Sequence, residues 1–232
     1  MKKKALVVLT NVGQYGNDPE PTGMWLAEAT EFVYKMHKAG IEVDYVSPKG
    51  GEVPVDPRSM KFPYAKKMDY HIYNSVDFKM RALINSLKPS DINPDDYFVI
   101  YYTGGHGVLW DYPKNLELQA IAEKIYANGG YITSVCHGVV GLLNLKDTTG
   151  KHLIDGRNIT GFTDEEEVLG GKLDKVPYSA EREAEYRGAN IIKTLPYTPN
   201  AVKSGRIITG QNPFSGRAVA RKLLADINKI DG

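Results

Sequence analysis

Short apolar runs alternate along this chain with longer stretches in which apolar residues recur every three or four positions. That alternation predicts strands and helices in turn. Lys4 to Thr10 (KALVVLT) is a β-branched run ended by Asn11 and Gly13, the pattern of a buried strand. From Thr22 to Lys38 the apolar residues Trp25, Ala29, Phe32, Val33 and Met36 stand at i, i+4, i+7, i+8 and i+11, one face of a helix that Gly40 stops. Ile41 to Val46 reads as a second strand, ended by Ser47-Pro48, and Ser75 to Leu87 as a helix. Tyr97 to Tyr102 (YFVIYY) is the most strand-like run. Leu116 to Ala127 reads as a helix ending at Gly129-Gly130, Tyr131 to Val135 as a strand, and Gly138 to Leu143 opens a helix directly after it. Beyond Gly150 the alternation weakens. Asn158 to Gly161 and Arg206 to Thr209 are short strand candidates, and Ser179 to Arg187 is helical. Ser215 to Ile230 is a helix with a cap-like Ser215 and Val219, Leu223, Leu224 and Ile227 on one side.

Strands alternating with helices at this spacing predict an α/β fold: a mostly parallel sheet with helices on both faces. Gly50 to Tyr73, rich in Gly, Pro, Lys and Tyr, has no clean period. It reads as an irregular insertion at about 50–75, either a lid over a site or a plain surface excursion. The 232 residues suit a single domain with such an insertion.

Composition narrows the function. A net charge of +1, with no basic run beyond Lys2 to Lys4, argues against nucleic acid as a partner. The apolar stretch after those lysines is too short for a signal peptide, and no stretch approaches a membrane span, so the expected location is the cytoplasm. One cysteine excludes an internal disulfide and a cysteine-rich zinc site. His37, His71 and His152 have no ligand spacing, so no metal is assigned.

The chemistry concentrates in Tyr131-Ile-Thr-Ser-Val-Cys136-His137-Gly138. A strand runs into a helix through a turn that carries a nucleophile, with Ser134 and Gly138 as small neighbours. That is the pattern of a nucleophile elbow. A sulfur at a helix N-terminus is expected to ionise readily, and the His137 N–H is placed to help hold an oxyanion. The bland alternative is an inert buried cysteine. Thr103-Gly104-Gly105-His106-Gly107 follows a strand that would end at the same sheet edge, and its glycines permit close backbone approach. The Gly105 N–H is the candidate second oxyanion donor, with His106 beside it; the alternative is a tight turn alone. Glu28 borders the apolar stripe of the first helix, where partial desolvation would raise its pKa; a surface glutamate reads the same way. Asp164-Glu165-Glu166-Glu167 is an acidic run in which periodicity selects no single member.

Taken together the motifs resemble the ThiJ/PfpI superfamily, which has the class I glutamine amidotransferase-like fold, a flavodoxin-like three-layer sandwich. Within it the chain looks like the branch of heat-shock chaperones and glyoxalase III enzymes. The carriers are Thr22-Gly23 with Glu28, Gly104 to Gly107, Asp111-Tyr112-Pro113, Ile125 to Gly130, Val135 to Gly138, Ile159 to Glu167 and Thr209 to Pro213. The resemblance implies a catalytic set of Cys136 as nucleophile, His137 after it, Glu167 as the acidic third member, and Glu28 bonded to the thiolate. It implies a cofactor-free conversion of methylglyoxal and water to lactate (the D-lactate dehydratase class of lyase), with a small carbonyl substrate and a homodimer. No late His-x-Glu pair is present, which argues against glutaminase activity. Other readings of the same residues are a cysteine amidohydrolase (small peptidase or deglycase), a holdase for unfolded clients using the Phe62 to Tyr73 segment, and a redox sensor.

Overall fold

The β-branched runs pair edge to edge because each is apolar on both sides and must be covered on both. The structure, a computed structural model, describes residues 4–230. The basic start Met1 to Lys3 lies outside the described residues. In chain order the elements are β1 (Lys4–Val8), β2 (Gln14–Tyr15), β3 (Asp18–Pro21), α1 (Leu26–Lys38), β4 (Val43–Val46), α2 (Lys67–Tyr73), β5 (Tyr97–Tyr102), α3 (Val108–Asp111) and α4 (Leu116–Ala127). They continue with β6 (Tyr131–Val135), β7 (Asn158–Ile159), α5 (Asp164–Leu169), α6 (Ala180–Tyr186), β8 (Asn190–Ile191), β9 (Ala201–Ser204), β10 (Ile207–Gly210) and α7 (Gly216–Ile230).

The main sheet has the order β4-β1-β5-β6-β10-β9. Every pair is parallel except the edge pair β10–β9. Period-2 alternation divides each strand between two cores. Leu6 and Val8 of β1, and Ile100 and Tyr102 of β5, pack with α4. Ala5 and Val7 of β1, and Val99 and Tyr101 of β5, pack with α1 and α7. The predicted mostly parallel sheet with helices on both faces is therefore the observed architecture. Among the described residues no helix is long and apolar enough to cross a membrane.

Four predictions change in detail. The first helix begins at Leu26, not Thr22. Residues 22–25 instead run extended beside 53–56, with a Met24–Val55 bridge; Gly23 permits this at φ +149°, where a Cβ would stand 2.4 Å from the Pro54 carbonyl oxygen. The "irregular" stretch of 50–73 contains a 3-10 turn, Pro57–Met60, capped by the Asp56 carboxylate, and then α2. The helix after Cys136 is a single 3-10 segment, Cys136–Leu142. The predicted helix in 75–87 narrows to a π-helical Phe78–Ile84. The β2–β3 hairpin, β9 and α5 were not foreseen; each is short and polar, so it has no apolar period to read.

The ring of Phe32 on α1 lies flat on Tyr101 of β5, 3.9 Å between centroids and 6° between planes, and both are fully buried. Phe32→Ala should cost about 3–5 kcal/mol through lost burial and the cavity left behind. Urea unfolding measures it; a loss under about 1 kcal/mol would mean the α1–sheet contact is not a main support.

Candidate active site

The parallel strands β5 and β6 are neighbours, so the turns leaving their carboxyl ends meet at one sheet edge. Cys136 leaves β6 with φ +56°, a left-handed conformation rare for a residue with a side chain. The crowding behind that turn explains its small neighbours. A Cβ on Gly138 would come within 2.3 Å of the Tyr102 carbonyl oxygen, and one on Gly104 within 2.6 Å of the Glu28 carboxyl. Gly105, at φ +100°, lets its backbone pass so close that a Cβ would stand 2.0 Å from the Gly23 carbonyl.

A chain of hydrogen bonds runs outward from the sulfur. Cys136 Sγ lies 3.4 Å from His137 Nδ1. His137 Nε2 lies 2.7 Å from Glu167 Oε2, and His106 Nε2 lies 2.7 Å from the other oxygen, Oε1. Glu167 thus bridges two imidazoles. Burial works to raise its pKa, but the facing imidazoles of His137 and His106 outweigh it and hold the carboxyl well below the usual range. It therefore accepts both bonds as a carboxylate. Burial pushes His106 down to about 4, helped by the His137 imidazole and opposed by Glu167. Phe162 packs 4.4 Å from the His137 ring and limits its rotation.

The acidic run resolves into four different jobs. Thr163 and Glu166 form a capping box at the start of α5. Asp164 pairs with Arg182 and accepts from Ser179, Glu165 is exposed, and Glu166 is buried among Tyr197, Gln211 and Asn212 donors. Glu167 alone turns into the site, one helical position beyond the cap box.

Glu28 is completely buried rather than at the edge of the stripe. Its Oε2 accepts the Gly104 N–H at 2.7 Å, and its Oε1 has no partner within ordinary hydrogen-bond geometry. Burial pushes its pKa up to about 8, against the pull of the neighbouring Cys136 thiol and the Gly104 N–H. Near neutral pH it is a neutral acid. Contrary to the expectation from the sequence, the Cys136 thiol does not ionise readily. Burial, then the neighbouring Glu28 carboxyl, pushes the Cys136 thiol up, while the His137 backbone N–H pulls it down. The helix start is a short 3-10 segment inside the core, so its dipole cannot offset full desolvation. The sulfur needs a partner to take its proton, and His137 Nδ1 is in reach.

Cys136, His137, Gly105, His106 and Glu167 all line one cavity of about 140 Å³, closed by Trp25, Tyr64 and Tyr197. Drug-sized pockets run to about 300–1,000 Å³, so this one suits a molecule of a few heavy atoms. His106, His137 and Glu167 stand close enough to surround a cation. Facing a carboxylate, each ring places a proton on Nε2, so a cation there would have to displace both protons.

Sequence reasoning missed Arg58, Tyr15 and Asp56. Arg58 reaches the cavity from the 3-10 turn, and Tyr15 of β2 hydrogen-bonds His106 Nδ1 at 3.0 Å. The Asp56-Pro57 pair signals a capped turn, but no local pattern tells where the following guanidinium points.

The model of the DJ-1/PfpI family matches residues 21–226. A Saccharomyces cerevisiae protein named Glutathione-independent glyoxalase HSP31 is 35% identical over 94% of this chain and 95% of its own length. Glyoxalase 3 of Candida albicans is 36% identical over 96% and 97%. Among solved structures, glyoxalase III from Candida albicans superposes with a TM-score of 0.88 at 34% identity, covering 97% of each chain. The Rapid Encystment Protein of 24 kDa from Francisella tularensis gives 0.89 at 34%, covering 95% of this chain and 97% of its own.

The buried acid makes a stability prediction. Folding raises Glu28 from 4.5 to about 8. Between those values the folded state holds a proton that the unfolded chain has released, so stability falls as pH rises. Glu28→Gln removes that dependence. Its melting temperature should decline less than the wild type's between pH 5 and pH 8, by a difference on the order of 3 kcal/mol, or several degrees. Parallel declines in calorimetry would mean Glu28 is ionised throughout.

Proposed function

The chain belongs to the DJ-1/PfpI family, and from that premise we propose that it is a glutathione-independent glyoxalase of the glyoxalase III type, turning methylglyoxal and water into lactate. The carrying observation is a thiol that lines one small cavity in reach of an imidazole and has beside it, buried behind the cavity wall, a carboxyl group whose pKa burial pushes up to about 8. The chain's own thiol then does what a free thiol would otherwise supply.

The Cys136 sulfur bonds to the aldehyde carbon as its proton passes to His137 Nδ1, and the oxygen becomes the hydroxyl of a hemithioacetal. The Gly105 and His137 N–H groups stabilise the oxyanion on the way. His137 gives that proton to the new hydroxyl and, neutral again, removes the hydrogen of the former aldehyde carbon as a proton while the Glu28 acid protonates the ketone oxygen, giving an enediol. The imidazolium then protonates the neighbouring carbon, and the Glu28 carboxylate takes back the proton of the first hydroxyl. The product is a thioester of lactate. Water cleaves its carbon–sulfur bond, which frees the hydroxy acid and restores the thiol. Glu167 stabilises the imidazolium that His137 becomes in each transfer. Glu28, neutral at the start, lets negative charge build on sulfur without a second charge beside it.

The same residues suit acyl transfer, and a cavity of about 140 Å³ is what weighs against a peptide as substrate. For a holdase, the insertion exposes Phe62 and part of Tyr70, while Tyr64 lines the cavity and Tyr73 packs on the core. Two separate rings fall short of a contiguous apolar patch.

Cys136→Ala should abolish lactate production from methylglyoxal. Glu28→Gln should lower kcat by about 100-fold or more, the usual contribution of one acid–base group. Lactate is measured with stereospecific dehydrogenases. Turnover by Cys136→Ala at the wild-type rate would end this reading, whereas loss of glycated-peptide hydrolysis alone would favour the hydrolase.

A further inference from the structure

A carboxylate that serves two imidazoles poses a problem of charge. If both rings are cations, Glu167 is shared, and the His137 imidazolium loses half of its counter-ion. If the outer ring stays neutral, the full charge remains for His137. The groups around His106 decide between these states.

A guanidinium can only donate. Arg58 Nη2 lies 3.1 Å from His106 Nδ1, so that nitrogen presents its lone pair and the ring's proton sits on Nε2, facing Glu167 Oε1 at 2.7 Å. The same Nη2 donates to the Tyr15 hydroxyl at 2.5 Å, which leaves the Tyr15 proton free to point at Nδ1, 3.0 Å away. The two Nη2 hydrogens go to Tyr15 and to Asp56, so the Tyr15 hydroxyl is the donor to that lone pair, with the guanidinium charge 3.1 Å from it. Arg58 is itself held. Asp56, fully buried, accepts from its Nε at 3.0 Å, its Nη2 at 2.6 Å and its backbone N–H at 2.9 Å, and also from the Thr22 hydroxyl at 3.0 Å. The groups facing His106 are thus Tyr15 from β2, Arg58 from the 3-10 turn, His137 after β6 and Glu167 from α5. Lys172 and Lys175 lie over the Tyr15 ring, paired with Glu20 and Asp18 of β3.

We infer that Arg58 is a positioning residue which fixes His106 as a neutral Nε2–H donor, so that Glu167 keeps its charge for His137. His106 is then neither an oxyanion donor nor an acid–base group but part of the mount for Glu167. Its kinetic consequence rests on the glyoxalase reading; its protonation consequence does not. The low pKa of His106 agrees with this lock, since burial is aided by the neighbouring His137 ring and by the Arg58 guanidinium.

The test is a titration of the histidine ring nitrogens by NMR in protein labelled with ¹⁵N-histidine, paired with pH profiles of kcat/KM for methylglyoxal. In the wild type His106 should remain the Nε2–H tautomer down to about pH 5. In Arg58→Gln it should titrate at or above the ordinary histidine value of about 6.5. The variant's kcat/KM should then gain an acid limb, falling about tenfold for each pH unit below that value, with the loss smallest near pH 8.5. Adding His106→Gln, which donates to Glu167 but does not titrate, should remove the limb. Arg58→Lys keeps a charge for Asp56 without the planar fork and should shift His106 in the same direction, which serves if Arg58→Gln does not fold. A His106 that still fails to titrate above pH 5 in either Arg58 variant, or a kcat/KM lowered by one factor at every pH, overturns the inference. Wild-type protein without methylglyoxal turnover would sink the glyoxalase reading and leave the NMR result standing.

Discussion

Everything at the site depends on how tightly two backbones pass where β5 and β6 end. Cys136 is held in a left-handed conformation, and the atoms that hold it are carbonyls and a carboxyl packed against Gly104 and Gly138. Left-handed backbone costs a side-chain-bearing residue on the order of 1–3 kcal/mol and persists only where the surroundings over-determine it. Here the surroundings are a mostly parallel sheet, its two apolar faces each covered by helices. The sheet's cohesion supports the strained turn, and the turn delivers one sulfur to the mouth of the cavity.

The electrostatics follow from the same burial. Two carboxyl groups lie near the sulfur and are driven in opposite directions. Glu28 has one backbone donor and an otherwise apolar surround, so it keeps a proton to about pH 8. Glu167 has an imidazole against each oxygen, so it stays charged. Environments that push two acids apart divide the labour between a proton carrier and a fixed charge. The sulfur stands between them. Its acidity is set by burial and then by the Glu28 carboxyl more than by the short 3-10 segment it begins, which is why a helix-dipole argument overestimated its ionisation.

How far the sequence could be read differs element by element. Tyr97–Tyr102, Leu116–Ala127 and Tyr131–Val135 were legible to the residue, because each buries an apolar face whose period is local. The strand–nucleophile–glycine order around Cys136 was legible for a similar reason: the steric demand falls on immediate neighbours. The start of α1 was not, since Thr22 to Trp25 are helix-compatible in isolation and are drawn into extended pairing by residues some thirty positions on. Nor was the split between Glu166 and Glu167, one turned into a capping box and the other into the site, because both have the same local chemistry.

The chain's own order of residues determined the alternation of strands and helices, the elbow with its lone cysteine and, through motif resemblance, the family. Those are properties of contiguous residues, where sterics and burial act over a few positions. Only the tertiary structure decided that Arg58, from a stretch with no readable period, would face His106, that Glu167 would carry two imidazoles, and that Glu28 would be sealed from water. Such contacts join residues 30 to 76 positions apart, and a carboxyl group's charge depends on what surrounds it in space rather than on what precedes it in the chain.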